Sequence, residues 1–345
     1  MKEHTYATNV EFQGVGLYLS SANAEFIDFV KRFVEFPCQD GRETGSQITV
    51  NVSFDKCCVV PDHCNKVARN VFSYGDTIFL LGFGRSEEFD FKIKIFDEKL
   101  DIDVFVSRKR AGFFPKAGWP RHEFMACVYF FIYVPYFYYF ERFKKKYVLH
   151  SAAFEYDRKG AVLSGLGGVG KSTVCLGALS SQSSKLLSDH LLFYDAQNIY
   201  PLPGPIALDE PSVKALKGIK DKLLPKAGMH YRKRAYYSIG PELLCAQTEP
   251  KCFFWLQQGT GYEVLAVSKE DYTSCLMNIN LLSGHIRDYY VFAAALDLVG
   301  PRSFSFSVYY DTLYQLLSDA KCYIVKFKPE YDVAMVLNMV RERMV

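Results

Sequence analysis

The chain has 345 residues, enough for one large domain or two ordinary ones around a sizeable core. Hydrophobic residues make up 49% and charged residues 23%, which excludes disorder of the low-hydrophobicity, high-charge kind. A formal net charge of +3 gives no ground for a nucleic-acid partner.

The opening residues, MKEHTYATNVEF, are polar and contain no apolar secretory core, so a cytoplasmic location with ten reduced cysteines is expected. Alternating or β-branched runs predict strands over 8–18, 47–54, 77–82, 90–97 and 101–107. A helix is predicted over 22–35, with Ser21 or Asn23 as its cap. Cys57, Cys58, His63 and Cys64 cluster, but their spacing fits no standard zinc pattern and they read as ordinary thiols. The stretch 108–121, RKRAGFFPKAGWPR, carries two prolines and two glycines among basic residues and reads as a linker. Two domains are therefore expected: a strand-rich, substrate-facing part over 1–115 and a second over 116–345.

Residues 124–140, FMACVYFFIYVPYFYYF, carry no charge and precede the basic ERFKKKY, as a membrane stop does. The run is at the short limit for a span, is interrupted by Pro135 and holds five tyrosines. A buried helix before a core strand, with no membrane contact, is the reading adopted.

The remainder alternates. Strands are predicted over 147–155 and 161–164, joined by the turn YDRKG, then a glycine-rich loop and a helix over 171–180. Strands follow over 186–189, 191–195, 199–208, 252–257 and 262–267. The region 268–318 is mainly helical by pattern, and the chain closes with a strand over 322–327 and a helix opening at Pro329. The whole reads as an α/β fold.

Gly165-Leu166-Gly167-Gly168-Val169-Gly170-Lys171-Ser172-Thr173 matches the pattern G-x-x-x-x-G-K-[ST] in full. Glycines let a backbone turn tightly and aim several N–H groups at phosphate oxygens, and the following helix adds its positive end. Lys171 would reach the β- and γ-phosphates, and the Ser172 hydroxyl would ligate magnesium. A chance match in a chain of this composition is on the order of one in a hundred, and the flanking AVLS and STVCLGAL supply the strand and helix the motif requires. ATP and magnesium are the ligands this pattern implies.

His150 precedes the loop by one strand, and Asp189 and His190 end the strand that follows its helix. In a parallel sheet, ligands collect at the carboxyl ends of the strands. An aspartate there can hold magnesium or accept a proton from an attacking hydroxyl. Without the loop, Asp189 would read as a turn or cap residue and His150 as a core histidine.

The stretch YVLHSAAFEYDRKGAVLSGLGGVGKSTVCLGAL, continued by KLLSDHLLFYD, resembles the nucleotide-binding core of HPr kinase/phosphorylase and its relatives. That resemblance implies an α/β fold with a P-loop core related to phosphoenolpyruvate carboxykinase, preceded by a strand-rich part. It implies a kinase acting on a hydroxyl of a peptide, protein or small metabolite, with Asp189 as general base and His150, in the pair His150-Ser151 that matches the family's His-Gly or His-Ala, among the catalytic residues. His190 stands where the family pattern has a second aspartate. By the same resemblance, Glu210 or Asp209 is the further acidic metal ligand, Arg232, Lys233 and Arg234 meet the transferred phosphate, and the protein is a homo-oligomer. Two other readings compete: a nucleotide-sensing protein without catalysis, and a P-loop ATPase or GTPase. The absence of a guanine-reading N-K-x-D motif counts against a GTPase.

Overall fold

A computed structural model of the chain describes residues 5–35, 38–39, 45–84, 88–107, 121–202, 204–231, 233–299 and 306–344. The fold is mixed α/β, with several sheets and a strand-rich N-terminal part. The chain divides into two compact units: 1–144 with 288–304, and 145–287 with 305–345. The linker over 108–121, and with it the expected boundary at 115/116, lies almost wholly outside the described residues. The two units divide after the aromatic segment, which belongs to the first.

The first unit is built on a nine-stranded sheet, in the spatial order 38–39, 6–12, 15–21, 48–54, 99–106, 89–96, 77–83, 71–74 and 65–68. The strands 15–21, 48–54 and 99–106 run parallel, and every other neighbouring pair is antiparallel. Alternation decides which face is buried: along Lys99–Val106, Leu100, Ile102, Val104 and Val106 point into the core. The single strand expected over 8–18 is two strands, Tyr6–Phe12 and Val15–Ser21, paired as a hairpin. Gln13 and Gly14 both have positive φ, the geometry of a tight hairpin turn that a period-two pattern runs straight through. The helix Ala24–Phe33 is capped by the Asn23 side chain, which accepts from the Phe26 N–H at 3.0 Å.

Arg121–Lys144 is one continuous helical run with π-helical turns at Tyr129–Tyr133 and Phe140–Lys144. Pro135 falls just after the first π turn, where its missing N–H interrupts the ordinary ladder. The run is buried within its own unit. Phe131 meets Phe26, Phe89 and Phe91 edge-on, and the Tyr136 hydroxyl donates to the Val10 carbonyl at 2.8 Å. Phe292, from the returning segment, packs edge-on against Phe83 and Phe91. Among the described residues no helix is long and apolar enough to cross a membrane.

The second unit has a six-stranded sheet in the order 184–188, 152–156, 159–164, 250–258, 321–327, 263–266. It is mixed rather than parallel: 159–164, 250–258 and 321–327 are parallel neighbours, while 152–156 and 263–266 run against theirs. Strand 184–188 is antiparallel to 152–156 and so points the same way as the parallel trio. The carboxyl ends of four strands, and the start of 152–156, therefore meet along one edge.

The strand expected over 147–155 is broken in two. Tyr147–Leu149 joins a small antiparallel sheet with 192–194 and 199–201, and Ala152–Tyr156 joins the large one. The break is pinned by Asn280, fully buried, whose side chain accepts from the His150 N–H at 2.9 Å and donates to the Val148 carbonyl at 3.1 Å. A second small sheet, 206–209, 234–239 and 223–231, replaces the end of the strand expected over 199–208. One face of the large sheet is covered by the helices Lys171–Gly177 and Val333–Met344, through Val174, Leu176, Val336, Leu337 and Val340 against Phe154, Leu163, Phe254 and Val325. Phe253, on the other face, meets Tyr272 of the helix Lys269–Leu282. The last helix starts at Val333, not at Pro329, because Asp332 caps it by accepting from the Ala334 N–H at 2.9 Å.

Candidate functional site

The strand Lys159–Ser164 runs into the glycine loop, and the loop runs into the helix Lys171–Gly177. Three glycines are there for conformational reasons. Gly165, Gly168 and Gly170 have φ of 137°, 81° and 104°, a region that side chains rarely adopt. Space tightens the requirement at two of them: a Cβ on Gly165 would lie 2.6 Å from the Leu256 carbonyl oxygen, and one on Gly170 would lie 2.0 Å from the Tyr331 hydroxyl. Gly167 faces open space, and Leu166 at the loop tip is exposed, while Val169 turns into the core.

Lys171 is almost fully buried, 7% exposed. Its ammonium donates to the carbonyls of Gly165 at 2.7 Å and Leu166 at 3.1 Å, so the cation is held at the opening of the loop. Burial lowers its pKa to about 8. Ser172, next in the helix, donates to the main-chain carbonyl of Asp189 at 3.0 Å, which ties the loop helix to the end of the strand Ser184–Ser188. Thr173 is buried, and burial raises the pKa of the neighbouring Tyr331 hydroxyl, opposed by the Thr173 side chain.

Asp189 keeps some open surface, yet the atoms crowded around it withhold water from its carboxyl. That desolvation raises its pKa to about 7, against the opposing pull of its own N–H and of Arg234. The raised value makes Asp189 a candidate functional carboxylate. His190 is exposed, and its ring stands edge-on to that of the buried His150, with centroids 4.7 Å apart. Ser151 and Ser164 share a hydrogen bond of 2.8 Å beneath them, both fully buried.

The predicted residues divide into groups. His150, Gly165 to Thr173 and Asp189 come together along the carboxyl edge of the large sheet. Arg234 is exposed, opposite Asp209 in the ladder of the small sheet, and its charge reaches the carboxyls of both Asp189 and Asp209. Lys233 is an exposed turn residue beside it, and Arg232 lies outside the described residues. Asp209 is a helix cap: its carboxylate accepts from the Ser212 N–H at 3.0 Å, and the Ser212 side chain, then this N–H, hold its pKa down. Glu210 is exposed and paired with Lys214 at 2.6 Å, one turn along the same helix. Among the described residues no group of three or more His, Cys, Asp or Glu is placed to hold a metal ion. Tyr331 is the site residue that sequence reasoning misses. It lies far down the chain from Gly170, and nothing local to it signals the approach.

No known protein family matches the chain, and no curated protein does. Among solved structures it is similar to the Hpr(Ser) kinase/phosphatase from Coxiella burnetii, with a TM-score of 0.27 and 10% identity, over 57% of this chain and 95% of that chain. A likeness this slight assigns no activity.

Proposed function

We propose that this chain is an ATP- and magnesium-dependent kinase that moves the γ-phosphoryl group to a hydroxyl of a peptide, protein or small metabolite. One observation carries the reading: a carboxyl raised to about 7, on Asp189, stands just past the strand Ser184–Ser188, on the residue whose own main-chain carbonyl accepts from Ser172 of the loop. A general base works best when its pKa lies near the working pH.

Each residue has a separable task. The backbone of Gly165–Gly170 and the first helical turn cradle the phosphates, in the manner of a P-loop. The Lys171 ammonium exchanges its two loop carbonyls for phosphate oxygens. Asp189 accepts the proton of the acceptor hydroxyl while the new O–P bond forms and the bond to the β-phosphate oxygen breaks, leaving ADP with the electron pair. Arg234 adds positive charge where charge builds on the transferred group. His150, anchored through its N–H on Asn280, supports the wall beside Asp189. The donors present fit magnesium, which binds largely through water and phosphate oxygens: the Ser172 hydroxyl would hold it directly and Asp189 only through water, and it would neutralise charge on the β- and γ-phosphates.

A second reading, a nucleotide sensor without catalysis, draws on His190, which stands beside Asp189 where a second acid would strengthen metal binding. Incubation with labelled ATP and candidate acceptors, followed by mass spectrometry, separates the two. A kinase consumes ATP only with an acceptor and marks it, and the folded Lys171→Ala protein loses both binding and transfer. ATP bound but never consumed, with any acceptor, leaves the sensor. Unchanged affinity and turnover in Lys171→Ala removes both.

A further inference from the structure

Tyr331 follows the strand Lys321–Phe327 at the same carboxyl edge as the glycine loop, just before the helix Val333–Met344. Its ring leans on Phe327, with centroids 4.6 Å apart, which fixes the direction of the hydroxyl. That hydroxyl sits over Gly170, so close that a Cβ there would be 2.0 Å away, and the Thr173 side chain, one turn into the helix, is near enough to oppose the rise that burial imposes on its pKa. Tyr331 thus touches the loop at its outgoing end, at the last glycine and the second residue after the lysine.

The opposite end of the loop is accounted for. Lys171 is held on the carbonyls of Gly165 and Leu166, and Ser172 is tied to Asp189. A lysine in this motif serves the β- and γ-phosphates and the following hydroxyl serves the metal, so the terminal phosphates belong on the Gly165–Asp189 side. A bound triphosphate then has one direction in which to leave the loop, past Thr173 towards Tyr331.

On the reading that the loop binds a nucleoside triphosphate, we propose that Tyr331 forms the nucleoside-side wall of the site, its hydroxyl over Gly170 meeting the α-phosphate and ribose of the bound nucleotide. Gly170 must be glycine here for a second reason besides its φ: it leaves room for that hydroxyl. Tyr331 contributes to binding and alignment, with no part in proton transfer.

The test compares two ligands on the full chain by calorimetry with magnesium present: ATP, and inorganic tripolyphosphate, which has the phosphates and lacks the nucleoside. Tyr331→Phe keeps the ring against Phe327 and removes only the hydroxyl, and its melting temperature checks that the protein is folded. The expected result is about a tenfold loss of ATP affinity, with tripolyphosphate affinity unchanged within twofold. Tyr331→Leu, which also removes the ring, should widen the gap between the ligands. Equal weakening of both ligands would make Tyr331 a mere support of the loop and overturn the proposal, as would ATP affinity unchanged in both variants. Parent protein that binds neither ligand fails at the earlier step, because then the loop itself is not a phosphate site.

Discussion

Asp189 and Lys171 are moved towards neutrality by the same cause, loss of water, and in opposite directions: the acid rises to about 7 and the base falls to about 8. Between those values both carry their working charge. Transfer measured as kcat/KM should therefore rise with pH to about 7 as Asp189 ionises, and fall above about 8 as Lys171 loses its proton. In Asp189→Asn the rising limb should vanish and transfer should drop by roughly two orders of magnitude or more, with ATP affinity near normal. The same substitution carries a stability signature of determined sign. A carboxyl whose folded pKa is raised costs stability wherever it is ionised, so the cost is full above about 7 and gone below the unfolded value near 4. Asp189→Asn should melt higher than the parent at about pH 8, by roughly 1–3 kcal/mol of stability, and the gap should close by about pH 4. Parent-like transfer by the variant removes Asp189 as base. An equal melting temperature at about pH 8 means that its carboxyl is not desolvated.

At the scale of the element, the strand–loop–helix unit is specified by where glycine is compulsory. Gly165 has φ of 137° and backs onto the Leu256 carbonyl, a backbone atom that cannot swing aside. Gly165→Ala should cost on the order of 2–4 kcal/mol and weaken ATP binding, because the loop must move to admit the methyl group. Gly167 has open space and ordinary φ, so Gly167→Ala should shift stability by no more than about 0.5 kcal/mol. Thermal melts of the pair check this, and equal behaviour would show that the loop is set by something other than these glycines. The loop holds four glycines, and the motif fixes only Gly165 and Gly170. Which of them are constrained depends on Leu256 and Tyr331, residues the motif does not contain.

At the scale of the whole molecule, the two units are not two consecutive stretches of chain. Residues 288–304 belong with the N-terminal sheet, where Phe292 packs against Phe83, Phe91 and Tyr138. The Tyr289 hydroxyl there donates to Glu141, itself buried. A chain truncated to begin at Lys145 should aggregate, because it leaves these apolar residues without their core. Replacing 288–304 by a short polar linker in the same truncated chain should restore solubility and nucleotide binding. Size-exclusion chromatography with ATP titration decides it: a soluble, monodisperse simple truncation would show that the second unit folds without regard to that segment.

Much of this protein is legible in its residues taken locally. The nine-residue loop motif, the hydrophobic alternation of strands such as Lys99–Val106, the buried nature of 124–140 and the Asn23 cap all depend on neighbours within a few positions, and pattern reads those. Tertiary structure decided what depends on distant atoms. The break at His150-Ser151 is invisible in the run YVLHSAAFE because Asn280, 130 residues away, holds it. Pairing geometry made the sheet mixed, and alternation within a strand says nothing of the direction of its neighbour. Glu210, a candidate metal ligand by position in sequence, is aimed at Lys214 by a helix that Asp209 caps. Desolvation of Asp189 and the seat of Tyr331 over Gly170 exist only once the strands stand side by side, since burial and close approach are properties of the packed chain.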